Sequence, residues 1–303
     1  MTRFAVLGPG GVGGFLTAAL ARAGVDVTVI ARAPTVEVIE RDGLRLNSVT
    51  LGALEAHPPA QTQLTEPVDV LFIATKATGL QDALERIRTD PRLVVPLLNG
   101  LDHLDLLRRR FGSDRVPAAT IRIEADRPAP GQVIHSSPAV RVEMAFDDPA
   151  AAQALPPLSD TLNRAQVPTR IERGERQVMW SKLVRLNALA STTSAADRPV
   201  GEIRSDPEWR ATLLACVDET AAVANADGAA IDPQATIAEL DGAHPGLGSS
   251  MQRDLAAGRE PELDAIQGSV LRAAARHGLR CPTVSRLADE IARRAGISPP
   301  SLR

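Results

Sequence analysis

The stretch MTRFAVLGPGGVGGFLTAALARAGVDVTVIARA (residues 1–33) decides the fold of this chain. A short apolar run ends in a segment, Gly8–Gly14, in which five of the seven residues are glycine. A helix-forming segment follows over Gly13–Ala23, and Asp26–Ile30 is again apolar and β-branched. This order predicts a βαβ unit whose first strand and helix are joined by a glycine-rich turn.

The glycine-rich turn contains the pattern G-x-G-x-x-G. Its first glycine permits a tight turn, its second lets the backbone approach a pyrophosphate, and its third lets the helix pack closely on the strand. The N-terminus of the helix adds unpaired N–H groups and the positive end of a dipole. We therefore predict that the turn binds a dinucleotide, the alternative being a glycine-rich turn without a ligand. The predicted cofactor-binding residues of the turn are Gly8, Pro9, Gly10, Gly11, Val12 and Gly13.

The end of the second strand indicates which dinucleotide is bound. Proteins that bind NAD usually carry an aspartate or glutamate about 20 residues after the glycine motif, where it accepts hydrogen bonds from the ribose. Here the strand ends in VIARA, without a carboxylate, and Arg32 offers a guanidinium suited to a phosphate monoester. The pattern favours NADP(H) over NAD(H); the alternative role of Arg32 is that of a solvated surface residue.

Two further polar residues follow predicted strands. Val68–Thr75 is nearly continuously apolar, as is typical of a parallel strand buried on both faces, and Lys76 follows it directly. Leu93–Leu98 predicts the next strand, which ends at Asn99. Since ligands bind at the carboxyl edge of a parallel sheet, we predict that both residues face the cofactor and that Asn99 also faces the substrate. Each residue alone is equally consistent with a capping or solvated role.

The two halves of the chain differ in pattern. Ala118–Ala125 and Gln132–His135 resemble antiparallel strands, whereas almost everything after Ile171 has helical spacing. The predicted fold class is α/β: an N-terminal Rossmann-like, doubly wound sheet with an antiparallel extension, followed by a C-terminal all-α domain. The predicted domains are residues 1–170, which bind NADP(H), and residues 171–303, which carry the substrate and catalytic groups.

Composition and charge argue against several classes of protein. The chain has 303 residues, 44% hydrophobic and 23% charged, in keeping with a globular protein that has two cores. Its net charge is −3 and its basic residues are scattered, so we expect no nucleic-acid partner. No window approaches the about 18 apolar residues that cross a bilayer, so we expect a cytoplasmic protein without a membrane partner. The spacing of Cys216 and Cys281 and the isolation of the five histidines predict no metal site.

Six further motifs carry a resemblance to a known family. They are the strand-end Lys76, NG at 99–100, PGQVIH at 130–135, WSKL at 180–183, RPVGEI at 198–203 and SSMQRDLAAGREPELDAIQG at 249–268. In order and spacing they resemble the ketopantoate reductases (2-dehydropantoate 2-reductases), over essentially the whole chain. The resemblance implies a cleft between a Rossmann-like and a helical domain, in which NADPH reduces the 2-oxo acid 2-dehydropantoate to pantoate, a step towards pantothenate and coenzyme A. It leaves the oligomeric state open between a monomer and a homodimer.

The resemblance also assigns roles to residues of the second half. By position, Lys182 matches the catalytic lysine, Glu262 a carboxylate that serves catalysis and the cofactor, and Ser250 a hydroxyl that contacts the substrate carboxylate. These residue types suit the chemistry, because hydride addition to a ketone builds negative charge on oxygen, which an ammonium group stabilises and protonates. Without the resemblance, Lys182 and Glu262 are ordinary charged residues of helices.

One departure from the family pattern concerns the substrate. The family commonly has asparagines four and eight residues after the lysine, where Leu186 and Ala190 stand in this chain. Asn187 is the nearest candidate to replace them as a substrate ligand, although it lies about 140° round the helix from the lysine. Thr192 and Thr193 are further candidates.

Three interpretations of function follow. The first is a ketopantoate reductase, and the second is an NADPH reductase of the same architecture that acts on a less polar 2-oxo acid or ketone. The third is a non-catalytic NADP-binding sensor, against which the retention of both Lys182 and Glu262 argues.

Overall fold

The computed structural model describes residues 2–301 and divides into two compact units. The first consists of the described residues up to Leu98 together with His103–Val178. The second consists of Asn99–Asp102 together with the described residues from Met179 onward. The division therefore falls inside the helix that follows the last strand, rather than at residue 170, and the short segment 99–102 belongs with the helices.

The elements of each unit are as follows. The strands of the first unit are β1 (Arg3–Leu7), β2 (Asp26–Ile30), β3 (Leu44–Ser48), β4 (Gly52–Ala56), β5 (Ala60–Gln61), β6 (Val70–Ile73), β7 (Leu93–Pro96), β8 (Ala118–Arg122), β9 (Ala125–Ala129), β10 (Gln132–His135), β11 (Arg141–Ala145) and β12 (Thr169–Ile171). Its helices are α1 (Gly11–Arg22), α2 (Ala33–Asp42), α3 (Leu80–Leu84), α4 (His103–Phe111), α5 (Pro149–Ala152) and α6 (Leu155–Arg164). Helix α7 (Glu175–Ala196) leads to the other helices of the second unit, α8 (Val200–Ser205), α9 (Pro207–Ala226), α10 (Pro233–Asp241), α11 (Ser250–Ala256), α12 (Ser269–Arg276) and α13 (Pro282–Ala295). A π-helical turn, Asp264–Gly268, directly precedes α12.

Five parallel strands form the central sheet of the first unit, in the order β5-β2-β1-β6-β7. Alternate residues of β1 point to opposite faces: Phe4 and Val6 pack in one core with α1 and α2, while Ala5 and Leu7 pack in another with α3 and α4. Burial of both faces is what a sheet with crossover helices requires. The prediction of a Rossmann-like, doubly wound sheet is confirmed.

The other strands of the first unit form two smaller sheets, β4-β3-β10-β9 and β12-β11-β8. Strands β9 and β10 pair antiparallel, as do β8 and β11. The predicted antiparallel strands are therefore present, but they hydrogen-bond in sheets of their own rather than along the edge of the parallel sheet. Helix α1 contacts β1 and β2 of the parallel sheet and also β3, β4, β9 and β10 of the second sheet, so it is covered on two sides.

His135, at the end of β10, ties the second sheet to α1. Only 1% of its surface is exposed, and its ring meets the Phe15 ring of α1 edge-on with centroids 4.7 Å apart. Its Nδ1 lies 2.8 Å from the Ser48 hydroxyl oxygen of β3. Burial lowers the pKa of His135, and the fold therefore favours its neutral imidazole.

The second unit is built around α7. Trp180, Val184 and Ala188 of this helix are fully buried in a core that includes Val217 of α9 and Val284 of α13. Helices α9, α10 and α11 begin at side-chain caps: the carboxylate of Asp206, for example, accepts from the N–H groups of Glu208 and Trp209 at the start of α9. The prediction of a C-terminal all-α domain is confirmed. Every helix among residues 2–301 is too short or too polar to cross a membrane.

Candidate active site

The glycine-rich turn joins β1 to α1 at the carboxyl edge of the parallel sheet. Gly8 has a φ of +89°, which glycine adopts without strain, and its N–H donates to the carbonyl of Ile30 in β2 at 3.0 Å. A Cβ atom at Gly10 would meet none of the described residues within 4 Å, so open space lies beside the backbone here. Gly11 and Val12 open α1, whose first turn has no side-chain cap from the described residues. The N–H groups of that turn are left for an anion.

Arg32 and Lys76 lie at the same edge of the sheet. Arg32 is the exposed N-cap residue of α2 and closely follows β2. Lys76 is exposed and closely follows β6. Since β2 and β6 flank β1 in the sheet, the two cations stand on either side of the glycine-rich turn. An uncapped helix start with a cation at each side fits the phosphate groups of a dinucleotide.

Lys182, Asn99 and Glu262 form one hydrogen-bonded cluster in the second unit. Lys182 Nζ donates to Asn99 Oδ1 at 2.8 Å, and Asn99 Nδ2 donates to Glu262 Oε2 at 3.0 Å. Glu262 is buried, with 7% of its surface exposed, and the other two residues are half-buried. The amide of Asn99 thus bridges the amine to the carboxyl group, so the three side chains hold one another in place.

Tight packing holds the Asn99 segment against the Glu262 segment. Gly100 has a φ of +84°, and its Cα lies so close to the carbonyl of Ala265 that a Cβ atom would overlap that oxygen. Ala265 belongs to the π-helical turn that begins just after Glu262. Leu101 packs against the core of the second unit. A glycine after Asn99 is therefore required by both conformation and space.

Helix α7 positions Lys182. Trp180, two residues earlier, is fully buried, and its Nε1 donates to Asp227 Oδ2 at 2.8 Å at the end of α9. Asp227 Oδ1 lies 3.0 Å from His277 Nε2 at the end of α12. Three helices are thereby fixed around the turn of α7 that presents the lysine, which is the structural role of the tryptophan in the WSKL motif.

The use of lysine in this chain singles out the candidate site. Among 34 basic residues, lysine occurs only at positions 76 and 182, and arginine occupies every other position. Arginine holds its proton at any pH a protein meets, whereas a lysine amine can give its proton up and take it back. Lys182 is therefore a basic side chain that can transfer a proton, which an arginine at the same position could not do. This count is available from sequence alone and points to both residues without any family resemblance.

Asn187 does not lie with the cluster. It is fully buried, and its Nδ2 donates to Thr220 Oγ1 at 2.8 Å in the core between α7 and α9. The expectation that it contacts the substrate is therefore corrected. The reason is the helical geometry, since a residue five positions after Lys182 lies about 140° round α7 and faces the helices behind it.

Ser249 and Ser250, the two serines at the start of the segment SSMQRDLAAGREPELDAIQG, have different surroundings. Ser249 is buried and caps α11, because its Oγ accepts from the N–H of Gln252 at 3.1 Å. Ser250, the predicted substrate contact, is exposed at the first position of the same helix. Its hydroxyl is consequently available to a ligand, whereas that of Ser249 is engaged.

The positions that follow Lys182 on the same face of α7 are apolar. Leu186 is half-buried and packs against the core of the second unit, and Ala190 is fully buried. Thr192 and Thr193, considered as replacements for the missing amides, are fully buried and donate to the carbonyls of Ala188 and Leu189 at 2.8 and 2.7 Å. Their hydroxyls are engaged with the helix itself, so neither replaces an amide.

Cys216 belongs to the same core and takes no part in the cluster. Burial raises the pKa of its thiol to about 12, so the thiolate that would react as a nucleophile is not formed at neutral pH. Cys281 is also buried, and its pKa is raised by burial to about 11. Both residues act as small apolar side chains of the helical unit.

Two family models cover most of the chain. Residues 4–146 match the model described as ketopantoate reductase PanE/ApbA, and residues 176–295 match the model of its C-terminal part. The two matched ranges contain the glycine-rich turn and Asn99 in the first, and Lys182, Ser250 and Glu262 in the second.

Similar proteins and structures agree with these matches. A 2-dehydropantoate 2-reductase of Caulobacter vibrioides is 31% identical over 294 residues, which cover 93% of this chain and 95% of that one. One from Mycobacterium tuberculosis is 30% identical over 288 residues, covering 93% and 94%.

Solved structures share the fold over nearly the whole chain. The structure of 2-dehydropantoate 2-reductase from Geobacter metallireducens has a TM-score of 0.89 at 25% identity and covers 96% of this chain and 99% of its own. The ternary structure of D-mandelate dehydrogenase with NADH and anilino(oxo)acetate also has a TM-score of 0.89, at 22% identity and with 97% and 99% coverage. The predicted resemblance is thus confirmed: this chain is an oxidoreductase that belongs to the ketopantoate reductase family.

Proposed function

We propose that this chain catalyses the NADPH-dependent reduction of a 2-oxo acid to the corresponding 2-hydroxy acid, with 2-dehydropantoate as the first candidate substrate. The observation that carries the proposal is the Lys182–Asn99–Glu262 cluster in the second unit. It presents a half-buried amine, held by an amide, in a chain that uses lysine at only two positions.

Lys182 is the proposed proton donor. A bound NADPH would supply a hydride to the carbonyl carbon of the substrate, and negative charge would then develop on the carbonyl oxygen. The ammonium group of Lys182 stabilises that charge and delivers the proton, so the ketone becomes a secondary alcohol and the lysine is left neutral. Water then returns a proton to the amine.

Asn99 and Glu262 keep the proton donor in place. Asn99 Oδ1 accepts from Lys182 Nζ, so the ammonium group has a fixed direction before the substrate arrives. Glu262 accepts from the same amide, which fixes the orientation of Asn99 in turn. Such preorganisation lowers the barrier because the donor need not reorient as the charge develops.

The first unit is the proposed cofactor site. The uncapped start of α1 and the open space beside Gly10 support binding of the pyrophosphate by the glycine-rich turn. Lys76, which closely follows β6, is proposed to hold a ribose or phosphate oxygen of the cofactor. That Asn99 and Glu262 also contact the cofactor stays a prediction. Arg32 is proposed to bind the 2′-phosphate, which distinguishes NADPH from NADH.

Replacing Arg32 with alanine is expected to weaken NADPH binding by about tenfold or more, because a charge-assisted hydrogen bond to the phosphate is lost. NADH, which lacks that phosphate, should bind equally well to both proteins. Fluorescence titration of each dinucleotide measures the two Kd values. Arg92→Ala is a matched control, since Arg92 is exposed and lies at the opposite, amino end of β7. An unchanged ratio of the two Kd values in Arg32→Ala would remove the proposed role.

A less polar 2-oxo acid is a second candidate substrate. Leu186 and Ala190 offer no hydrogen bond at the positions where an amide would bind the hydroxyl of 2-dehydropantoate, and the two threonines and Asn187 are engaged in the core. Loss of such contacts costs orders of magnitude in preference for a hydroxylated substrate. D-mandelate dehydrogenase, whose fold is similar, has been solved with NADH and anilino(oxo)acetate.

Oxidation of NADPH by the purified protein tests these alternatives. Initial rates are measured with 2-dehydropantoate and with 2-oxo acids that carry alkyl or aryl side chains and no hydroxyl group. We expect oxidation with at least one of them, and the largest kcat/KM identifies the substrate. The absence of oxidation with every compound would overturn the reductase proposal and leave a protein that binds the cofactor without catalysis.

A further inference from the structure

We propose that Arg272 is a positioning residue for the Lys182 proton donor, which it aligns by clamping the segments that carry Asn99 and Glu262. The proposal rests on the function proposed for Lys182, because alignment matters only if the lysine reacts. Arg272 lies on α12 and is absent from every motif that indicates the function.

Asn99 and Glu262 both lie on short segments rather than on long helices. Asn99 opens the segment 99–102, which has no helix or strand, and Glu262 ends the loop between α11 and the π-helical turn. A side chain on such a segment is held only as well as the segment itself is held. Something must therefore fix these two segments relative to each other.

The guanidinium of Arg272 contacts both segments. Nη2 and Nε donate to Asp102 Oδ2 at 2.7 and 3.2 Å, at the end of the Asn99 segment. Nη1 donates to Asp264 Oδ1 at 2.7 Å, and Nη2 donates to Asp264 Oδ2 and to its backbone carbonyl at 3.1 and 2.9 Å. Nη1 also donates to the carbonyl of Ser301 at 2.7 Å. The planar guanidinium thus joins Asp102, three positions after Asn99, to Asp264, two positions after Glu262.

The clamp reinforces the close contact described above. Gly100 already packs on Ala265, and Arg272 joins the same two segments through Asp102 and Asp264. Asn99 and Glu262, which lie just before these contacts, are consequently held at the 3.0 Å separation of their hydrogen bond.

The exposure of its two aspartate partners indicates that Arg272 contributes little to the stability of the fold. The side chain of Arg272 is 16% exposed, but those of Asp102 and Asp264 are 47% and 65% exposed. Ion pairs with partners so well solvated contribute little to stability. The variant Arg272→Gln should therefore fold and melt as the parent does, while the geometry of the cluster loosens.

Steady-state kinetics of Arg272→Gln test the proposal. We expect kcat to fall about tenfold, because small misplacement of a catalytic group costs this much or more, with a smaller change in the KM for NADPH, whose proposed phosphate contacts lie elsewhere. Arg276→Gln, an exposed residue one turn later on α12, is the matched control and should leave kcat unchanged. Arg272→Lys keeps the positive charge but lacks the planar set of guanidinium donors, so its kcat should lie between those of Arg272→Gln and the parent.

A double-variant comparison shows whether Arg272 acts through the amide. If it does, Arg272→Gln should lower kcat far less in an Asn99→Ala background, where there is no amide left to position. An equal loss in both backgrounds, or a kcat of Arg272→Gln within twofold of the parent, would overturn the proposal.

A readout independent of activity separates this proposal from the proposed function. The chain has only two lysines, so mass spectrometry after brief acetylation reports Lys182 and Lys76 individually. We expect Lys182 to be acetylated faster in Arg272→Gln than in the parent protein, with Lys76 unchanged as an internal reference. If Lys182 is labelled faster in Arg272→Gln but the parent protein reduces no 2-oxo acid, the positioning role of Arg272 stands and the proposed function is rejected. If the labelling rate of Lys182 is unchanged, the positioning role is rejected.

Discussion

Lys182→Ala is expected to lower kcat by about 10²- to 10⁴-fold while the Kd for NADPH stays unchanged. The variant removes the proton donor and the positive charge beside the developing alkoxide at once, and each contributes to the barrier. The glycine-rich turn, Arg32 and Lys76, which are proposed to bind the phosphate groups of the cofactor, belong to the first unit, whereas Lys182 belongs to the second, so the affinity should not change. The two measurements are NADPH oxidation with the best substrate of the panel and fluorescence titration of NADPH.

The variant Lys182→Arg separates the loss of the transferable proton from the loss of the positive charge, and Lys76→Ala serves as a comparison. Lys182→Arg keeps a positive charge but cannot release its proton, so it should remain far below the parent in kcat. Lys76→Ala removes the only other lysine and should weaken NADPH binding instead of slowing the chemical step. A Lys182→Ala protein with kcat within tenfold of the parent would show that another group, or water, supplies the proton.

The fold was predictable because its signals are local. The glycine-rich turn, the β-branched segment after it and the continuous apolar run around β6 each specify an element within a few residues. Helix α13 runs over Pro282–Ala295, from a proline at its start to Gly296 just after its end, and both are local signals of a helix boundary. The sheet pairing of the antiparallel strands was less predictable, because β8 and β10 pair with strands that are not their neighbours in the sequence, β11 and β3.

The Lys182–Asn99–Glu262 cluster was not predictable from spacing. Lys182 lies 83 residues from Asn99, and Glu262 lies 163 residues from it, so only tertiary packing brings the three side chains together. The resemblance to a family supplied the roles of Lys182 and Glu262, but it did not show that Asn99 bridges them. Asn187 illustrates the converse, since its angle on α7 already indicated that it faces away from Lys182.

The π-helical turn explains one further difference. Helical spacing predicts a single helix over Pro261–His277, and the chain instead forms the π turn Asp264–Gly268 before α12. The extra residue of a π-helical turn cannot be detected from the 3.6-residue spacing of apolar residues that predicts a helix. Such turns are frequent at functional sites. Here the turn carries Ala265, whose carbonyl meets Gly100, and Asp264, which meets Arg272.

Gly100→Ala is expected to destabilise the protein by about 3 kcal/mol and to lower kcat by about 100-fold. The methyl group imposes two costs. A φ of +84° is unfavourable for alanine, and its Cβ would overlap the carbonyl oxygen of Ala265 and lie 2.8 Å from the carbonyl carbon. Backbone on both sides leaves no flexible side chain to move away, so the Asn99 segment must shift from the turn that follows Glu262, and the bridge to Lys182 is lost with it.

Gly296→Ala distinguishes the overlap from the conformational strain. Gly296 also has a positive φ, +66°, but a Cβ there would meet none of the described residues within 4 Å. It should therefore lose only about 1 kcal/mol, the cost of the backbone conformation, and should keep full activity. Chemical denaturation gives the free energy of unfolding of both variants, and NADPH oxidation gives kcat. Equal destabilisation of the two variants, or full activity of Gly100→Ala, would mean that the contact with Ala265 does not hold the cluster. The reason is that only Gly100→Ala creates an overlap, whereas both variants place alanine at a positive φ.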